Sequence, residues 1–395
     1  MSARRVATAA LATVLPVLLV AALAPGRAGR LADGQALTPP MGWNSWNKFG
    51  CNVSEDLVKG IADAMAASGM KDAGYQYVVI DDCWQVARDS ATGRIVPDST
   101  RFPHGMRALA DYVHGRGLKF GLYTDAGRRT CEGRPGTYEH EDMDARTWAE
   151  WGVDYVKVDW CHSEGINAPA QYAKIRDALA HSGRQIVFSI CEWGSNRPWE
   201  WAPETGHLWR TTGDISDRWS SMVRIVDLNQ SLAPAAGPGG WNDPDMLEVG
   251  NGGMTDGEYR AHFSLWAIMA APLIAGNDLR SMSDATREIL TNREVIAVDQ
   301  DSLGAQGWMV SQPRPSLQVW MKPLKDGGRA VALFNRSDAP ADIAVEFTAI
   351  GLRGPQRVRD LWAHADRGMA AGRTSATVAS HAVVMLRIGG AAPRR

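Results

Sequence analysis

Strand-like and helix-like segments alternate along about 270 residues of this chain, starting near Leu37. Such alternation predicts a parallel β-sheet whose strands are joined by helices. Roughly eight units of about 30 to 35 residues fit a closed (β/α)8 TIM barrel, an α/β fold. A doubly wound open sheet is the alternative, but it would need a glycine-rich phosphate turn after an early strand, and the sequence has none. We therefore predict a barrel over residues 37–306.

The predicted strands are short apolar runs, and segments with helical periodicity lie between them. Ser54, for example, precedes an amphipathic segment with Glu55 and Asp56 in its first turn, which is typical of a helix N-terminus. Further helices are predicted near residues 104–115, 142–151, 168–180, 216–228 and 258–270. Strands are predicted at residues 41–46, 77–82, 119–125, 155–161 and 185–192, with weaker candidates at 208–210, 239–245 and 272–275.

The hydrophobic pattern changes after about Gly307. Short runs of β-forming residues with turn residues between them predict an antiparallel sheet. Gly327 and Gly328 fit a hairpin turn between two of these runs. We predict a C-terminal antiparallel β-sandwich domain over residues 307–390, with strands at 316–324, 330–335, 342–347, 357–362, 375–379 and 382–388.

The first 30 residues have the organisation of a secretory signal peptide. Arg4 and Arg5 precede an apolar run at residues 6–24, and small residues follow as far as Ala28. Cleavage is predicted between about residues 24 and 36. A retained membrane anchor is the alternative, because the run is about as long as a transmembrane helix. No later segment is long and apolar enough to span a bilayer, so we expect a secreted, extracellular protein without membrane contact after cleavage.

The charges of the chain balance, since 42 Lys and Arg residues stand against 44 Asp and Glu residues and give a formal net charge of −2. This balance does not indicate a nucleic acid or a membrane surface as a partner. The chain has five cysteines but no Cys-x-x-Cys or His-x-His pair, so we expect no metal site and no cofactor. Sixteen Trp residues against seven Phe residues are an unusual bias, and flat indole faces can hold sugar rings as well as pack in cores.

Carboxylates end or follow most of the predicted barrel strands. In residues 155–161, Lys157 and Asp159 share one face of a strand whose other face is apolar. A structural ion pair explains an isolated Lys-x-Asp well, but here the acidic strand ends recur. Because barrel enzymes place reacting groups at the C-terminal strand ends, convergent carboxylates and indoles predict a sugar site. The acidic residues are Asp81, Asp82, Asp125, Asp159, Glu192, Asp214, Asp243 and Asp245, and the indoles are Trp46, Trp84, Trp160, Trp193 and Trp241.

Several of these residues allow more than one interpretation. Arg210, at the end of the predicted sixth strand, can clamp a partner through two hydrogen bonds. Asp214 lies four residues later, where it suits a mobile acid/base or caps the helix that follows. Asp81 and Asp82 are adjacent, so only one of them points inward unless the chain turns there. A neighbouring ammonium would hold Asp159 ionised, as attack on a sugar carbon requires.

An ordered set of short motifs makes the sequence similar to a known enzyme family. The motifs are Met-Gly-Trp-Asn-Ser-Trp at 41–46, Ile-Asp-Asp-Cys-Trp at 80–84, Arg-Phe-Pro-His-Gly at 101–105, Lys-Val-Asp-Trp-Cys at 157–161, Cys-Glu-Trp at 191–193, Trp-Arg-Thr-Thr-Gly-Asp-Ile at 209–215 and Gly-Pro-Gly-Gly-Trp-Asn-Asp-Pro-Asp-Met at 237–246. Together they resemble the family-27 glycoside hydrolases, the α-galactosidases of clan D, in their plant and microbial type. The resemblance runs from about Leu37 into the C-terminal domain and implies the same barrel and sandwich.

The resemblance also implies roles for the matching residues. Asp159 matches the nucleophile of the family, and Asp214 matches its acid/base. The implied disulfides are Cys51–Cys83 and Cys131–Cys161, and Cys191 is left free. The implied substrate-binding residues, which surround the galactose pocket, are Trp46, Asp81, Asp82, Lys157, Glu192, Trp193, Arg210 and Asp245.

The implied activity is hydrolysis of terminal α-galactosyl residues with retention of configuration, by a secreted exo-acting enzyme. Relatives that accept N-acetylgalactosamine carry a small residue at the position of Glu192, so Glu192 favours a free 2-hydroxyl group. A β-L-arabinopyranosidase on the same scaffold is the alternative, although the acidic pair after the second strand favours galactose. A non-catalytic sugar-binding protein is disfavoured because both Asp159 and Asp214 are present. We expect Lys157 to lower the pKa of Asp159, and the charge of Asp159 to raise the pKa of Asp214.

Overall fold

The computed structural model describes residues 30–31 and 33–390 of the chain. The predicted signal peptide, residues 1–30, lies outside the described residues except for Arg30. In the described part, no helix has both the length and the apolar character that a membrane span requires.

Eight parallel strands form the wall of a barrel, as the alternating pattern predicts. The first ten strands in chain order are β1 (Met41–Asn44), β2 (Tyr77–Ile80), β3 (Gln85–Arg88), β4 (Ile95–Pro97), β5 (Lys119–Asp125), β6 (Tyr155–Asp159), β7 (Val187–Ile190), β8 (Leu208–Arg210), β9 (Trp241–Asp243) and β10 (Leu273–Ala275). Strands β3 and β4 form a separate hairpin, and the other eight pair in the order β10-β1-β2-β5-β6-β7-β8-β9. Leu247, just after β9, joins the two ends of this sheet, because its N–H donates to the carbonyl oxygen of Ile274 at 2.8 Å.

Helices lie between the barrel strands and cover the outside of the sheet. They are α1 (Trp46–Phe49), α2 (Glu55–Ala67), α3 (Met70–Ala73), α4 (Gly105–Gly115), α5 (Glu141–Trp151), α6 (Ala168–Ala180), α7 (Trp219–Asn229), α8 (Asp256–Met269), α9 (Asp284–Thr291) and α10 (Arg293–Asp299). Ser54 caps α2 as predicted, since its hydroxyl oxygen accepts from the N–H of Leu57 at 3.3 Å. Five further 3-10 turns lie at Pro198–Glu200, Ala202–Glu204, Ala233–Ala235, Leu279–Ser281 and Phe347–Ile350.

An antiparallel β-sandwich follows the barrel, as predicted. Its strands are β11 (Trp308–Arg314), β12 (Leu317–Pro323), β13 (Arg329–Asn335), β14 (Ala341–Glu346), β15 (Pro355–Asp360), β16 (Ala365–Ala371), β17 (Arg373–Val378) and β18 (Ala382–Ile388). One sheet has the order β11-β12-β13-β18-β15-β16, and β14 pairs with β17 in the other. The buried side chains between them include Val331, Leu333 and Ile343.

Several elements of the structure were not predicted from the sequence, and most of them lack a buried face. Strands β11 and β16 are the two edges of the larger sandwich sheet, and most of their side chains are exposed. Exposed edge strands carry no hydrophobic alternation for a sequence to reveal. The hairpin of β3 and β4 is similarly short and partly exposed. Helices α9 and α10 were missed because the barrel pattern ends with β10, before they begin.

The larger sandwich sheet packs against the barrel through its second face. Ala332 and Phe334 of β13 belong to the same buried cluster as the barrel core, whereas Val331 and Leu333 face the sandwich interior. The Phe334 ring lies 5.6 Å from the ring of Trp219 in the barrel. Every side chain of α8 from position 261 to 269 is buried, so this helix is enclosed between the two domains. The sandwich therefore supplies one wall of the core around α8.

Truncating the chain after Gly307 is expected to cause aggregation, because α8 would expose its apolar outer face to water. Contiguous apolar patches larger than a few hundred Å² make a monomer prone to association. Solubility and light scattering of the truncated chain, compared with the full chain, measure the effect. A soluble and fully active barrel without the sandwich would contradict the prediction.

Candidate active site

A cavity of about 550 Å³ opens at the C-terminal ends of the barrel strands. Its lining comes from the C-terminal ends of β1, β2, β5, β6, β7, β8 and β9 and from the segments after them, so residues far apart in sequence surround one space. This position is where barrel enzymes bind their substrates. The lining residues are Trp46, Asn47, Lys48, Asp81, Asp82, Tyr123, Cys131, Lys157, Asp159, Trp193, Arg210, Asp214, Ile215, Ser216, Asp217, Asp245, Met246, Glu248 and Asn251.

Asp159 lies at the end of β6, buried beside the cavity. Its side-chain oxygen accepts from the N–H of Trp160 at 3.0 Å. Lys157 does not pair with it directly, because the Lys157 Nζ donates to Asp81 at 2.8 Å instead. The Lys157 ammonium also lies 5.2 Å from the ring centre of Tyr123. The Lys157 ammonium, which was expected to keep Asp159 ionised, therefore forms its ion pair between β6 and the end of β2.

Both Asp81 and Asp82 line the cavity, because the chain leaves its strand geometry immediately after β2. Cys83 has a positive φ of 77°, which marks the turn. Asp81 accepts from the side-chain amide of Asn44 at 2.7 Å in addition to Lys157. Asp82 accepts from the backbone N–H groups of Cys83 at 2.6 Å and Glu132 at 3.0 Å. The two carboxylates are thus held separately by different donors.

Arg210, at the end of β8, is buried and binds two carboxylates. Its Nη2 lies 2.9 Å from Asp214 and 3.0 Å from Asp245. The Asp214 side chain is 71 % exposed, whereas that of Asp245 is 7 % exposed. Asp245 has a positive φ of 89° and accepts from the N–H of Ile215 at 2.8 Å. Of the two carboxylates that Arg210 binds, Asp214 is therefore the one exposed to solvent at the cavity mouth.

The pKa directions of Asp159 and Asp214 are opposite to those predicted from the sequence. Burial raises the pKa of Asp159 to about 6, although Lys157 and Arg210 act to lower it. Burial acts to raise the pKa of Asp214, but the charge and hydrogen bond of Arg210 outweigh it, and the pKa is lowered. Neither effect can be predicted from the sequence, because the desolvation of Asp159 and the partner of Asp214 depend on the assembled barrel.

Glu192 was predicted to surround the galactose pocket, but its side chain does not line the cavity. The side chain is fully buried. Its Oε2 accepts from the backbone N–H of Asn196 at 2.5 Å and from the side-chain amide of Asn196 at 2.7 Å. Its Oε1 has no hydrogen-bond partner in the part of the chain that the structure describes. Burial raises the pKa of Glu192 to about 7. The loop after β7 holds this carboxyl behind the cavity wall.

The two predicted indoles line the cavity. Trp46 begins α1, and Trp193 follows β7 with a positive φ of 58°. Both are partly exposed and offer ring surface toward a ligand. Trp84, Trp160 and Trp241 of the strand-end inventory are buried and do not line it. Exposure therefore separates the indoles that a ligand can reach from those that only pack.

Both predicted disulfides are present, Cys51–Cys83 and Cys131–Cys161. The second joins the loop after β5 to the end of β6, so it fixes the segment beside Asp159. Cys191 is free and buried, as the resemblance implies. Two sets of cysteines and carboxylates are close enough to hold an ion, but all their sulfurs are in these bridges and offer no thiolate.

Part of the cavity wall was not predicted from the sequence. Asn47, Lys48, Ser216, Asp217, Glu248 and Asn251 line the cavity, although none of them was predicted as a site residue. Glu248 follows β9 by five residues, and a search for acidic residues near strand ends could have found it. The other five residues have no distinguishing sequence pattern, so only their position in the fold identifies them as part of the site.

Comparison with known proteins gives the same assignment for both domains. The family model described as α-galactosidase A matches residues 38–301, and the α-galactosidase C-terminal β-sandwich domain matches residues 315–388. The chain is 51% identical to an α-galactosidase of Cyamopsis tetragonoloba over 356 residues, which cover 89% of this chain and 86% of the relative.

Solved structures share the whole architecture. α-Galactosidase I of Mortierella vinacea is 37% identical with a TM-score of 0.89, over 91% of this chain and 99% of that chain. The α-galactosidase of Saccharomyces cerevisiae, solved with raffinose, is 29% identical with a TM-score of 0.87, over 91% of this chain and 99% of that chain. These matches extend over the barrel, the strand-end cavity and the sandwich, and the chain therefore belongs to the α-galactosidases of glycoside hydrolase family 27.

Proposed function

We propose that this α-galactosidase removes terminal α-D-galactosyl residues by double displacement, with retention of configuration. Asp159 attacks the anomeric carbon from the β face while Asp214 gives its proton to the departing oxygen. Asp214 then takes a proton from the water that hydrolyses the β-galactosyl ester on Asp159. The observation that carries the proposal is the pair of carboxylates in one cavity, one buried at a strand end and one exposed at the mouth.

The buried side of the cavity suits a galactose ring. Asp81, Asp82 and Asp245 offer carboxylate oxygens to hydroxyl groups, and Lys157 offers an ammonium. Hydrogen bonds to charged groups are the stronger ones, so this set can fix the orientation of one ring. Trp46 gives an apolar face against which the ring can pack. Because seven strand ends surround one opening, the end of a sugar chain fits the cavity better than the middle of a chain, which supports exo action.

Arg210 controls the proton that catalysis needs. In the free enzyme it favours the charged form of Asp214, and burial favours the neutral form of Asp159. At a pH between their two pKa values, Asp159 and Asp214 together hold one proton, and this proton is mainly on Asp159. Catalysis requires the other arrangement of this proton, with Asp214 protonated and Asp159 ionised. In the free enzyme that arrangement is the minor tautomer of the pair, until substrate occupies the site. A galactosyl hydroxyl that draws Arg210 away from Asp214 would favour the transfer.

Secretion is part of the proposal. The basic and apolar N-terminal segment has the organisation of a signal peptide, and disulfides persist in oxidising compartments. N-terminal sequencing of enzyme recovered from the culture medium tests this. The presence of residues 1–24 on that protein would contradict cleavage.

The stereochemistry of the first product tests the mechanism. Proton NMR during hydrolysis of p-nitrophenyl α-D-galactoside should show α-galactose first, because two displacements at the anomeric carbon restore its configuration. Mutarotation to the β anomer should follow. A β-galactose signal at the start would mean inversion and would remove Asp159 from its role. p-Nitrophenyl β-L-arabinopyranoside serves as the parallel substrate, and faster hydrolysis of it would favour the arabinopyranosidase hypothesis.

A further inference from the structure

One side of the cavity is not used by the proposed galactose contacts. It is a polar wall made of Asn47, Lys48, Ser216, Asp217, Glu248 and Asn251. All six side chains can hydrogen-bond, and they outnumber the two apolar side chains that the loops after β8 and β9 contribute to the cavity, Ile215 and Met246. A cavity of about 550 Å³ has room for more than one pyranose ring. The polar wall therefore faces space that a second sugar unit could occupy.

The polar wall lies next to Asp214. Ser216 and Asp217 follow Asp214 in the same loop. Asp217 accepts from the hydroxyl group of Tyr259 at 2.9 Å and from the backbone N–H of Gly253 at 2.5 Å, so this loop is fastened to the segment that carries Asn251. An acid that protonates the oxygen between two sugars must lie on the side of the leaving sugar. The wall is thus on the leaving-group side of the site.

Glu248 is the buried centre of this wall. It is 4 % exposed and accepts from the side-chain amides of Asn47 at 2.8 Å and Asn251 at 2.5 Å. Its own N–H donates to His262 Nε2 at 3.1 Å, which fixes its backbone. No Lys or Arg among the described residues forms an ion pair with it. A buried carboxyl with two amide donors and no cation is costly for folding alone, which favours a role in binding.

Two features of this wall match a hydroxyl group, which donates one hydrogen bond and accepts others. Burial raises the pKa of Glu248 to about 7, with Asn251 lowering it and Asp217 and Asp245 raising it further, so the carboxyl exists in both protonation states near neutral pH. The Oδ1 of Asn251 is buried and has no hydrogen-bond partner among the described residues. An unsatisfied acceptor beside a carboxyl that can accept or donate fits a sugar hydroxyl.

We propose that Glu248 and Asn251 bind a hydroxyl group of the sugar to which the galactosyl residue is attached. They thereby select saccharide leaving groups over apolar ones such as lipids or phenols. The inference rests on the proposed function, because it takes the position of the leaving sugar from the role of Asp214. The substrate class that follows is α-galactosyl oligosaccharides rather than α-galactosides of apolar alcohols.

The test compares two substrates of one galactosyl unit: melibiose, whose leaving group is glucose, and α-D-galactosyl fluoride, whose leaving group is a fluoride ion and not a sugar. Glu248→Ala should lower the ratio of their kcat/KM values by roughly 2- to 10-fold, as expected for a lost hydrogen bond between uncharged groups, because a carboxyl whose pKa is raised to about 7 is protonated at the acidic pH where activity is highest. Glu248→Gln keeps the shape and one acceptor, so its ratio should fall less. Glu288→Ala removes an exposed carboxylate that pairs with Arg260 on the outside of the barrel, and its ratio should equal that of the wild type. Inactive or unfolded protein lowers both rates equally and cancels in each ratio.

An unchanged ratio in Glu248→Ala, with both rates reduced together, would overturn the inference and leave Glu248 as a structural group. That outcome would not affect the proposed function, because the wild type would still hydrolyse both substrates with retention. Failure of the wild type to hydrolyse α-galactosyl fluoride would overturn both. A Glu248→Ala ratio that rises in favour of melibiose would also contradict selection by this carboxyl.

Discussion

Asp159→Ala is expected to lower kcat for α-galactosides by about 10⁴-fold or more, because no other group could form the glycosyl ester. The carboxyl of Asp159 is buried at the end of β6, and its removal leaves an anion-sized space next to Lys157 and Arg210. Azide should enter this space and restore part of the activity with an activated substrate such as 2,4-dinitrophenyl α-galactoside. The product should be β-galactosyl azide, formed by a single displacement.

Asp125 offers a matched control for this experiment. It ends β5, lies directly opposite Asp159 in the parallel register of β5 and β6, and is fully buried. Its two oxygens accept from the N–H groups of Gly127 at 2.6 Å and Cys161 at 2.8 Å, and it does not line the cavity. Asp125→Asn should lower stability without producing any galactosyl azide. Azide rescue in this variant, or turnover by Asp159→Ala within about 10-fold of the wild type, would contradict the role of Asp159.

Asp214→Ala is expected to discriminate strongly between leaving groups. General acid catalysis contributes about 10²- to 10⁴-fold when the leaving oxygen needs a proton, so hydrolysis of melibiose should fall by this factor. Hydrolysis of a 2,4-dinitrophenyl galactoside should fall far less in its first step, because that anion departs unprotonated. A burst of dinitrophenol is expected, since the glycosyl ester would then wait for water without a general base. Equal losses for both substrates would contradict the assignment.

The pH dependence gives Asp214→Ala a second and sharper readout. In the wild type the active form holds one proton on the pair, so kcat/KM should be highest between the lowered pKa of Asp214 and about 6, and should fall above about 6. Without Asp214 the only requirement is ionised Asp159, and kcat/KM for the activated substrate should rise through about pH 6 and then stay level. The slope above pH 6 thus changes from falling to flat. A variant that keeps the wild-type alkaline fall would show that another group supplies the proton.

Local patterns in the amino-acid sequence were enough to predict the architecture and most of the strand ends. An apolar run that ends in a carboxylate is a local pattern, and β2, β5 and β6 were found within a few residues from it. The alternation of roughly eight strand and helix units favoured a barrel over an open sheet, and a barrel places the carboxylates at one end. The sandwich strands with one buried face, such as β13 and β18, were equally visible. The family motifs, rather than the spacing, implied the disulfide pairs that the structure contains.

Which side chains of the site contact each other, and how they ionise, depends on the folded arrangement of distant segments. Lys157 shares a strand face with Asp159, yet its ammonium binds Asp81 on a neighbouring strand end. Arg210 reverses the expected pKa order by binding Asp214, and Glu192 lies behind the wall that it was predicted to line. Glu248 enters the site only because the loops after β1, β8 and β9 meet there. The pattern of a sequence indicates which face of a helix or strand is buried and where the element ends. The hydrogen-bond partners and the desolvation of a side chain depend instead on residues from distant segments that the fold brings next to it.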